Sequence, residues 1–362
     1  MTLSSKKAKI LRISEILSGN KRLTDSIEVR CEFRVTTNRR DLMQVEKSKH
    51  IVGVFVATLI VFTQFSSLLF AAQSHAMTKR EIRENGLVAD YFYQEGATNQ
   101  HGIILLGGSE GGKVMSTQTT YLQDLVNAKC AILSLAYFKE EGLPQSLQSI
   151  PLEYFIKATN WLTQQPETRN DGIILIGGSK GAEAALLYAS YSKTVKAVIA
   201  IVPSAYVFEG IAGRNGKQGS YSSWSYLGKD IPYVPYISSD ETWRKAFSGA
   251  GLIIVFQEAL TDANAKKKAA IPVEKIQGPI LLVSAKQDRM WPSQKMSETI
   301  IQRLHNNEFP HAHKHLSYDV GHNVIQEAKE SWPAILKFMK EHCLSDKSTT
   351  LKHSKTKAAG QK

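Results

Sequence analysis

The chain has 362 residues and a formal net charge of +12, and its 43% hydrophobic and 22% charged residues form an ordinary globular balance. The positive charge lies mostly at the two ends, because residues 1–76 carry 12 Lys and Arg against 6 Asp and Glu, and residues 345–362 carry 5 against 1. A nucleic-acid-binding domain would carry its basic residues across its folded surface. Because the basic residues here lie at the ends of the chain, we do not expect nucleic acid to be a partner.

The N-terminal region contains an apolar run without a charged residue, 51–72, which follows two lysines and a histidine. Together with the small residues Ser74 and Ala76, this order is typical of a secretory signal, and we predict an exported, periplasmic or secreted protein that is cleaved near Ala76. Residues 1–42 would then be an upstream extension, with synthesis starting at Met43. An uncleaved membrane anchor is the alternative, because the run is nearly long enough to span a bilayer; a buried core helix is a third interpretation.

The three cysteines are far apart in the chain. Cys31 lies in the part expected to be lost, and Cys130 and Cys343 could pair in an oxidising compartment, although Cys130 lies in an apolar run typical of a buried residue. No spacing of Cys and His indicates structural zinc. We expect residues 345–362 to form a basic disordered tail, which leaves 77–344 as the catalytic domain.

Short apolar runs and segments of helical period alternate through this domain. The predicted strands are LVADYFYQ, HGIILLGG, CAILSLAYF, DGIILIGG, VKAVIAIVPS and GPILLVSAKQD, and the predicted helices cover about 119–128, 147–164, 180–192, 294–305 and 331–342. Strands that are apolar on both faces belong in a parallel sheet covered by helices. The repeated order of strand and helix therefore predicts an α/β fold with a mostly parallel, doubly wound sheet.

One region, 209–276, interrupts the alternation. It is rich in Gly, Ser, Tyr and Pro, and a helical piece follows around residues 256–270. A long insertion inside a compact domain is usually functional. Its position between two strands predicts a cap over the C-terminal edge of the sheet.

The central candidate for catalysis is Ser179, in the sequence Gly177-Gly178-Ser179-Lys180-Gly181. A strand is predicted before this G-x-S-x-G motif and a helix after it, and so tight a turn needs small residues two positions before and after its centre. The turn would present the serine hydroxyl at the top of the sheet, beside a helix N-terminus that favours an oxyanion. We therefore predict a nucleophile elbow rather than a plain glycine loop.

A serine nucleophile needs a base and an acid, and in the α/β-hydrolase arrangement these follow it in the order acid, then histidine. Asp288 ends the predicted strand after the insertion, and His322 lies in a loop before the last predicted helix. With Ser179 they form the predicted catalytic triad. Asp319 is the runner-up acid, but it lies only three residues before His322 and would have difficulty reaching the ring nitrogen.

Three further histidines, His311, His313 and His315, alternate along a predicted strand. They could suggest a metal site, but no carboxylate or cysteine stands near them at ligand spacing. We interpret them as one face of a strand and predict neither a metal nor an organic cofactor.

A second oxyanion donor is expected from the glycine-rich turn LLGGSEGG, residues 105–112. We predict the backbone amide of Ser109 or Glu110, together with the amide of Lys180 after the nucleophile. A phosphate-binding loop is the alternative, because the turn has the Walker spacing as far as its lysine, but Val114 stands where a Ser or Thr is required.

These motifs resemble a known family. The S-K-G-A-E run that begins at Ser179 and the D-x-x-W-P-S run that begins at Asp288 are similar to the C-terminal catalytic domain shared by acyl-CoA thioester hydrolases and bile acid-CoA:amino acid N-acyltransferases, and the similarity covers roughly 102–340. The resemblance implies an α/β-hydrolase fold of the dienelactone-hydrolase type, with Ser179, Asp288 and His322 as the triad.

Two features depart from that family. Its animal members that act on fatty or bile acyl-CoA carry an immunoglobulin-like domain before the catalytic one, whereas here only about 25 residues separate the predicted signal from the first glycine turn. The amino-acid-conjugating members use cysteine as the nucleophile. Serine at 179 favours water as the acyl acceptor, because a thioester intermediate passes to an amine more readily than an oxygen ester does.

The resulting hypothesis is a serine hydrolase that cleaves acyl thioesters of small molecules through an acyl-enzyme intermediate. Four aromatic residues of the insertion, Trp224, Tyr226, Tyr233 and Tyr236, could line the acyl pocket. Acyl-CoA is a cytoplasmic metabolite, so for an exported protein a general carboxylesterase or dienelactone-hydrolase-like enzyme is the alternative. A non-catalytic α/β-hydrolase binding protein is a third interpretation.

Overall fold

The computed structural model describes residues 76–212 and 220–344. The predicted signal or anchor at 51–72, Cys31 and the predicted tail at 345–362 lie outside the described residues. Within the described ranges we find no helix with the length and hydropathy of a membrane span.

Strands and helices alternate through the described part of the chain. The strands are β1 (Met77–Glu84), β2 (Leu87–Gln94), β3 (Gln100–Leu106), β4 (Cys130–Ala136), β5 (Ile150–Pro151), β6 (Thr168–Gly178), β7 (Val195–Ile201), β8 (Trp224–Tyr226), β9 (Lys229–Asp230), β10 (Ile280–Ala285) and β11 (His313–Tyr318). The α-helices are α1 (Thr119–Asn127), α2 (Leu152–Thr163), α3 (Lys180–Tyr191), α4 (Asp240–Lys245), α5 (Ile253–Ala259), α6 (Ala263–Ala269), α7 (Ser293–Asn306), α8 (Val324–Glu327) and α9 (Ser331–His342).

The main sheet has eight strands in the order β1-β2-β4-β3-β6-β7-β10-β11. β2 runs antiparallel to both of its neighbours, and the pairs from β4 to β11 are parallel. The predicted mostly parallel sheet is therefore confirmed. A second, small sheet of β5, β8 and β9 joins the insertion to the segment before α2.

Each face of the main sheet has its own hydrophobic core. On β3, Ile104 and Leu106 belong to one core, which includes buried residues of α2, α3 and α7, whereas Ile103 and Leu105 belong to the other, which includes buried residues of α1 and α9. Because successive strand residues point to opposite faces, a strand buried on both faces must be apolar throughout. This is the physical reason for the uninterrupted apolar runs in the sequence.

The edge strand β1 was not predicted. Its sequence, MTKREIRE, is mostly exposed, with Ile82 as its buried residue, so it lacks the apolar run that identified the inner strands. It pairs with β2 through a two-residue turn at Asn85 and Gly86, both of which have positive φ. Asn-Gly is the preferred sequence of such a turn, and this signal was available in the chain.

The predicted helices agree with the structure to within a few residues, with two exceptions. α2 starts at Leu152 rather than at 147, because Leu147 instead pairs with Ile211 and residues 150–151 form β5. The helix predicted at 256–270 is interrupted, because Asp262 accepts hydrogen bonds from the amides of Asn264 and Ala265 and so begins a new helix, α6.

Candidate active site

Ser179 lies in the turn between β6 and α3, with φ 55° and ψ −120°. Its amide donates to the carbonyl of Ile201 on the neighbouring strand at 2.9 Å. A β-carbon added to Gly177 would collide with the carbonyl of Gly181, and one added to Gly181 would collide with the carbonyls at the end of β3. The two motif glycines thus let α3 pack directly against the sheet, and the turn holds Ser179 in a backbone conformation that L-residues rarely adopt.

His322 connects Ser179 to Asp288. Its Nε2 lies 3.0 Å from Ser179 Oγ, and its Nδ1 lies 3.0 and 2.9 Å from the two carboxylate oxygens of Asp288. With Nδ1–H donating to the carboxylate, Nε2 accepts from the serine hydroxyl. The structure therefore brings together three side chains that lie 143 and 34 residues apart in sequence.

The acid is held in place by the chain that follows it. Asp288 is 4% exposed, and its Oδ1 accepts from the amides of Met290 and Trp291 at 2.9 and 3.2 Å. The indole of Trp291 donates to the carbonyl of Val202 and meets the His322 ring edge-on. These contacts keep the carboxylate directed at His322.

Asp319, the runner-up acid, lies elsewhere. Its Oδ1 accepts from the side-chain amide of Gln287 at 3.1 Å. The histidine loop is fixed instead by Glu327, which accepts from the amide of Gly321 at 2.7 Å.

A cavity of about 410 Å³ opens at Ser179 and His322. Its apolar walls come from β3, β6, β7, α1 and the start of α8, and they are formed by Leu105, Leu122, Leu125, Ile176, Ile201 and Val324. These residues belong to the core on the α1 and α9 side of the sheet. The cavity is thus a continuation of that core to Ser179. An apolar cleft beside a few polar groups is the usual form of a small-molecule site.

The prediction that the aromatic residues of the insertion line this cavity is wrong. Trp224 is fully buried and donates to Glu183, Tyr226 packs on Tyr191, and Tyr236 stacks on a phenylalanine at 208. The hydroxyl group of Tyr233, the fourth of these residues, is hydrogen-bonded to the hydroxyl group of Ser220. They pack with the core on the α2 and α3 side of the sheet, and none of the four lines the cavity.

Other aromatic residues, which the sequence reasoning missed, lie at the cavity. Tyr121 of α1 and Trp332 of α9 line it, and their ring centroids are 4.8 Å apart. The sequence does show that both helices carry an apolar stripe. Only the fold shows which residues of each stripe are not covered by neighbouring elements and can line a cavity.

The predicted oxyanion donors are near the nucleophile. Ser109 and Glu110 line the same cavity as Ser179, and Lys180 is the first residue of α3, where an amide has no acceptor within its own helix. The side chain of Glu110 already accepts from the amide of Gly108 at 3.2 Å. The identity of the donors stays a prediction.

The side chains of the S-K-G-A-E run form a buried ion pair. Lys180 Nζ lies 3.0 Å from both carboxylate oxygens of Glu183, and Glu183 also accepts from the indole of Trp224 and the amide of Phe208. Burial lowers the pKa of Lys180 and raises the pKa of Glu183, and each charge partly offsets the shift of the other. The pair joins the nucleophile helix to the insertion, a role that the sequence reasoning did not anticipate.

The lysine that suggested a phosphate-binding loop is engaged elsewhere. Lys113 Nζ lies 2.9 Å from Glu81 and 3.0 Å from Asp90, both on the first two strands. Its ammonium group is paired with these two carboxylates, so this arrangement disfavours that alternative.

The histidines of HAHKH have ordinary neighbours. His313 and His315 lie on β11, and His315 Nε2 is 2.7 Å from Ser284 on β10. Cys130 and Cys343 are both buried and unbridged, and burial raises the pKa of each thiol to about 12. The disulfide that the two cysteines could have formed is therefore not present.

The fold and this site together define the α/β-hydrolase class. Residues 150–327 match the family described as "BAAT / Acyl-CoA thioester hydrolase C terminal", so the resemblance expected from the sequence is confirmed. The chain is 31% identical over 233 residues to mouse acyl-coenzyme A thioesterase 2, mitochondrial, covering 63% of this chain and 46% of that protein. It is 30% identical to mouse acyl-coenzyme A amino acid N-acyltransferase 1, covering 62% and 49%.

The chain spans about half the length of the curated relatives that it matches. Among solved structures, an esterase from Pyrococcus furiosus aligns with a TM-score of 0.48 and 15% identity over 74% of this chain and 91% of its own. An esterase from Pyrobaculum calidifontis aligns with a TM-score of 0.48 and 16% identity over 79% and 93%.

Proposed function

We propose that the protein is a serine hydrolase that cleaves acyl thioesters, with Ser179 as nucleophile, His322 as base and Asp288 as the acid that orients it. The observation that carries the proposal is the continuous hydrogen-bonded line from Ser179 Oγ through the His322 ring to the Asp288 carboxylate. A serine hydroxyl attacks a carbonyl near neutral pH only when such a base removes its proton.

The reaction has two acyl-transfer steps. His322 takes the proton of Ser179 as the oxygen attacks the carbonyl carbon, and it then gives that proton to the departing thiol. Water, deprotonated by the same imidazole, attacks the acyl-enzyme, and the serine regains its proton as the acid product leaves. Backbone amides at the start of α3 and in the turn after β3 stabilise the negative oxygen in both steps.

The thioester preference is supported by the family of residues 150–327 and by the names of the relatives, among them a peroxisomal succinyl-coenzyme A thioesterase from mouse. The apolar cavity beside Ser179 suits the hydrocarbon part of an acyl group. Serine as nucleophile supports transfer to water rather than to an amine.

A second candidate is a carboxylesterase that takes esters with small neutral leaving groups. One observation favours it: within residues 76–212 and 220–344, the cavity at Ser179 is lined by neither lysine nor arginine. Any lysine or arginine that binds the phosphates of coenzyme A would therefore have to lie outside the cavity.

The test is a Ser179→Ala variant assayed with palmitoyl-CoA and with 4-nitrophenyl butyrate. We expect kcat to fall by roughly 10⁴-fold or more on both substrates, because in the proposed mechanism Ser179 forms the acyl-enzyme. Ser190→Ala is the matched control, since Ser190 lies on the same helix and its hydroxyl donates to the carbonyl of Leu187. It should retain activity.

The outcomes separate the candidates. A wild-type preference for palmitoyl-CoA supports the thioesterase, and a preference for the nitrophenyl ester supports the carboxylesterase. Activity that survives in Ser179→Ala would contradict the proposed site, and an inactive wild-type protein that still binds acyl compounds would support the non-catalytic interpretation.

We also propose that the protein is exported after cleavage near Ala76. The support is the order of basic, apolar and small residues in the sequence up to this position. Residues 1–75 lie outside the described part of the chain.

A further inference from the structure

The cavity at Ser179 contains one carboxylate. Glu110 is the only aspartate or glutamate among the described residues that line it, and His322 is the only histidine, lysine or arginine there. Its neighbours there are apolar or neutral, such as Leu105, Met115 and Gln118. A charged group in an otherwise neutral pocket is a strong determinant of which ligands fit.

The carboxylate lies next to the nucleophile. Glu110 Oε1 accepts from the amide of Gly108 at 3.2 Å. A β-carbon placed on Gly108 would lie 2.7 Å from Glu110 Oε2 and 3.2 Å from the β-carbon of Ser179. The carboxylate oxygen and the Ser179 β-carbon are therefore separated by no more than the sum of these two distances.

No cation neutralises this charge within the described residues. Glu110 has no Lys, Arg or His partner at ion-pair distance there, and Lys113, the nearest lysine in sequence, is paired with other carboxylates. Lys113 binds Glu81 and Asp90, and Lys139 donates to the backbone carbonyl of Ser109 at 3.4 Å. Glu110 is an exposed residue, so water screens its charge in part, but no ion pair cancels that charge at the cavity.

We infer that Glu110 is a specificity-determining residue that makes the site select neutral acyl groups and reject acyl groups bearing a carboxylate near the reacting carbonyl. This inference rests on the proposed function. For an anion held ~6 Å from Glu110, the repulsion at an effective dielectric constant of about 20 to 40 corresponds to a discrimination of roughly 10- to 100-fold.

The experiment compares two nitrophenyl esters of similar shape that differ in charge: the 4-nitrophenyl monoester of glutarate and 4-nitrophenyl 5-methylhexanoate. The spontaneous rate is subtracted for each. The readout is the ratio of kcat/KM for the neutral ester to kcat/KM for the anionic ester, because any general effect of a substitution on the reaction cancels in it. We expect a ratio well above one for the wild-type protein.

Glu110→Gln keeps the acceptor for the Gly108 amide and removes the charge. We expect it to lower the ratio about tenfold, through faster turnover of the anionic ester. Glu141→Gln is the matched control, because it makes the same change in net charge at an exposed glutamate outside the cavity, and it should leave the ratio unchanged. Glu110→Ala is the second variant if the glutamine variant folds poorly, and a thermal melt monitors folding.

Several results would overturn the inference. The first is a ratio near one for the wild-type protein, a result that needs no variant. The second is a ratio that neither Glu110→Gln nor Glu110→Ala changes. The third is a ratio that Glu141→Gln lowers as much as Glu110→Gln does. Ser179→Ala distinguishes this failure from failure of the proposed function. If Ser179→Ala abolishes turnover of both esters and substitution of Glu110 leaves the ratio unchanged, only the charge selection is wrong. If Ser179→Ala retains turnover, the proposed site itself is wrong.

Discussion

Asp288 determines how His322 can act. The carboxylate is buried, and its Oδ1 accepts from two backbone amides as well as facing the imidazole. In the proposed mechanism, an anion held in this way fixes the proton of His322 on Nδ1 and stabilises the imidazolium that forms when Ser179 is deprotonated. A single side chain, that of Asp288, would therefore both orient the His322 ring and supply the negative charge that stabilises it.

Asp288→Asn tests this role. An amide at this position no longer stabilises the imidazolium and can present a donor to Nδ1. The imidazole proton then stays on Nε2, so Nε2 can no longer accept the proton of the serine. We expect kcat for 4-nitrophenyl butyrate to fall by roughly 10³- to 10⁴-fold. The measurement is steady-state kinetics together with a thermal melt.

Asp319→Asn is the matched control, since Asp319 is the other acid near the histidine and contacts Gln287 instead. It should change kcat by less than about threefold, because an exposed carboxylate away from the reacting atoms contributes little there. The reverse pattern, with Asp319 essential and Asp288 dispensable, would contradict the assignment of the acid.

At the scale of the elements, catalytic geometry depends on how closely α3 approaches β3. The backbone of Gly181 lies against the carbonyls of Leu106 and Gly107, and Gly177 lies against Gly181. Glu183, which is paired with Lys180, accepts from the indole of Trp224 and so holds the same helix against the insertion. The elbow is thus fixed on one side by backbone contact and on the other by an ion pair.

Gly181→Ala and Gly178→Ala test this packing as a matched pair. A methyl group at 181 must push α3 away from two carbonyls, whereas one at 178 meets no atom within 4 Å. We expect Gly181→Ala to lower the free energy of unfolding by about 1–3 kcal/mol and to reduce kcat. Gly178→Ala should retain the stability of the parent. Urea denaturation and ester hydrolysis give the two readouts, and equal effects of both substitutions would refute the close-packing argument.

At the scale of the whole molecule, the described domain starts where the predicted signal ends. β1 begins at Met77 and pairs along its full length with β2. Cleavage after Ala76 would therefore leave the eight-stranded sheet intact. The net charge of this domain is small, because the basic excess lies in the ends of the chain.

The export proposal predicts a mature N-terminus at or near Met77. Mass spectrometry of the protein recovered from an exporting host should find it, because Ser74 and Ala76 provide the small residues that signal cleavage requires. Ala76→Phe should block processing and leave the apolar run attached. A wild-type protein recovered from membranes with that run intact would instead support an anchor.

Much of this architecture could be predicted from chain order and local pattern. Inner strands are recognisable because burial on both faces demands apolar residues throughout, and the elbow because its turn demands glycine at fixed positions. The order of Ser179, Asp288 and His322 follows the connectivity of the sheet. Strand β1 escaped prediction because an exposed edge strand has no such requirement.

The walls of the cavity were decided by the tertiary structure alone. Tyr121 and Trp332 lie on helices about 210 residues apart, and Trp332 donates to Asp124 across that separation. Local pattern shows that a side chain is apolar, but it does not show whether that side chain is covered by a neighbour or left open to a ligand. The aromatic residues of the insertion were therefore assigned to the cavity, whereas they pack with the core on the α2 and α3 side of the sheet. The sequence predicted the backbone of Glu110 near Ser179, but only the folded chain shows its side chain at the cavity.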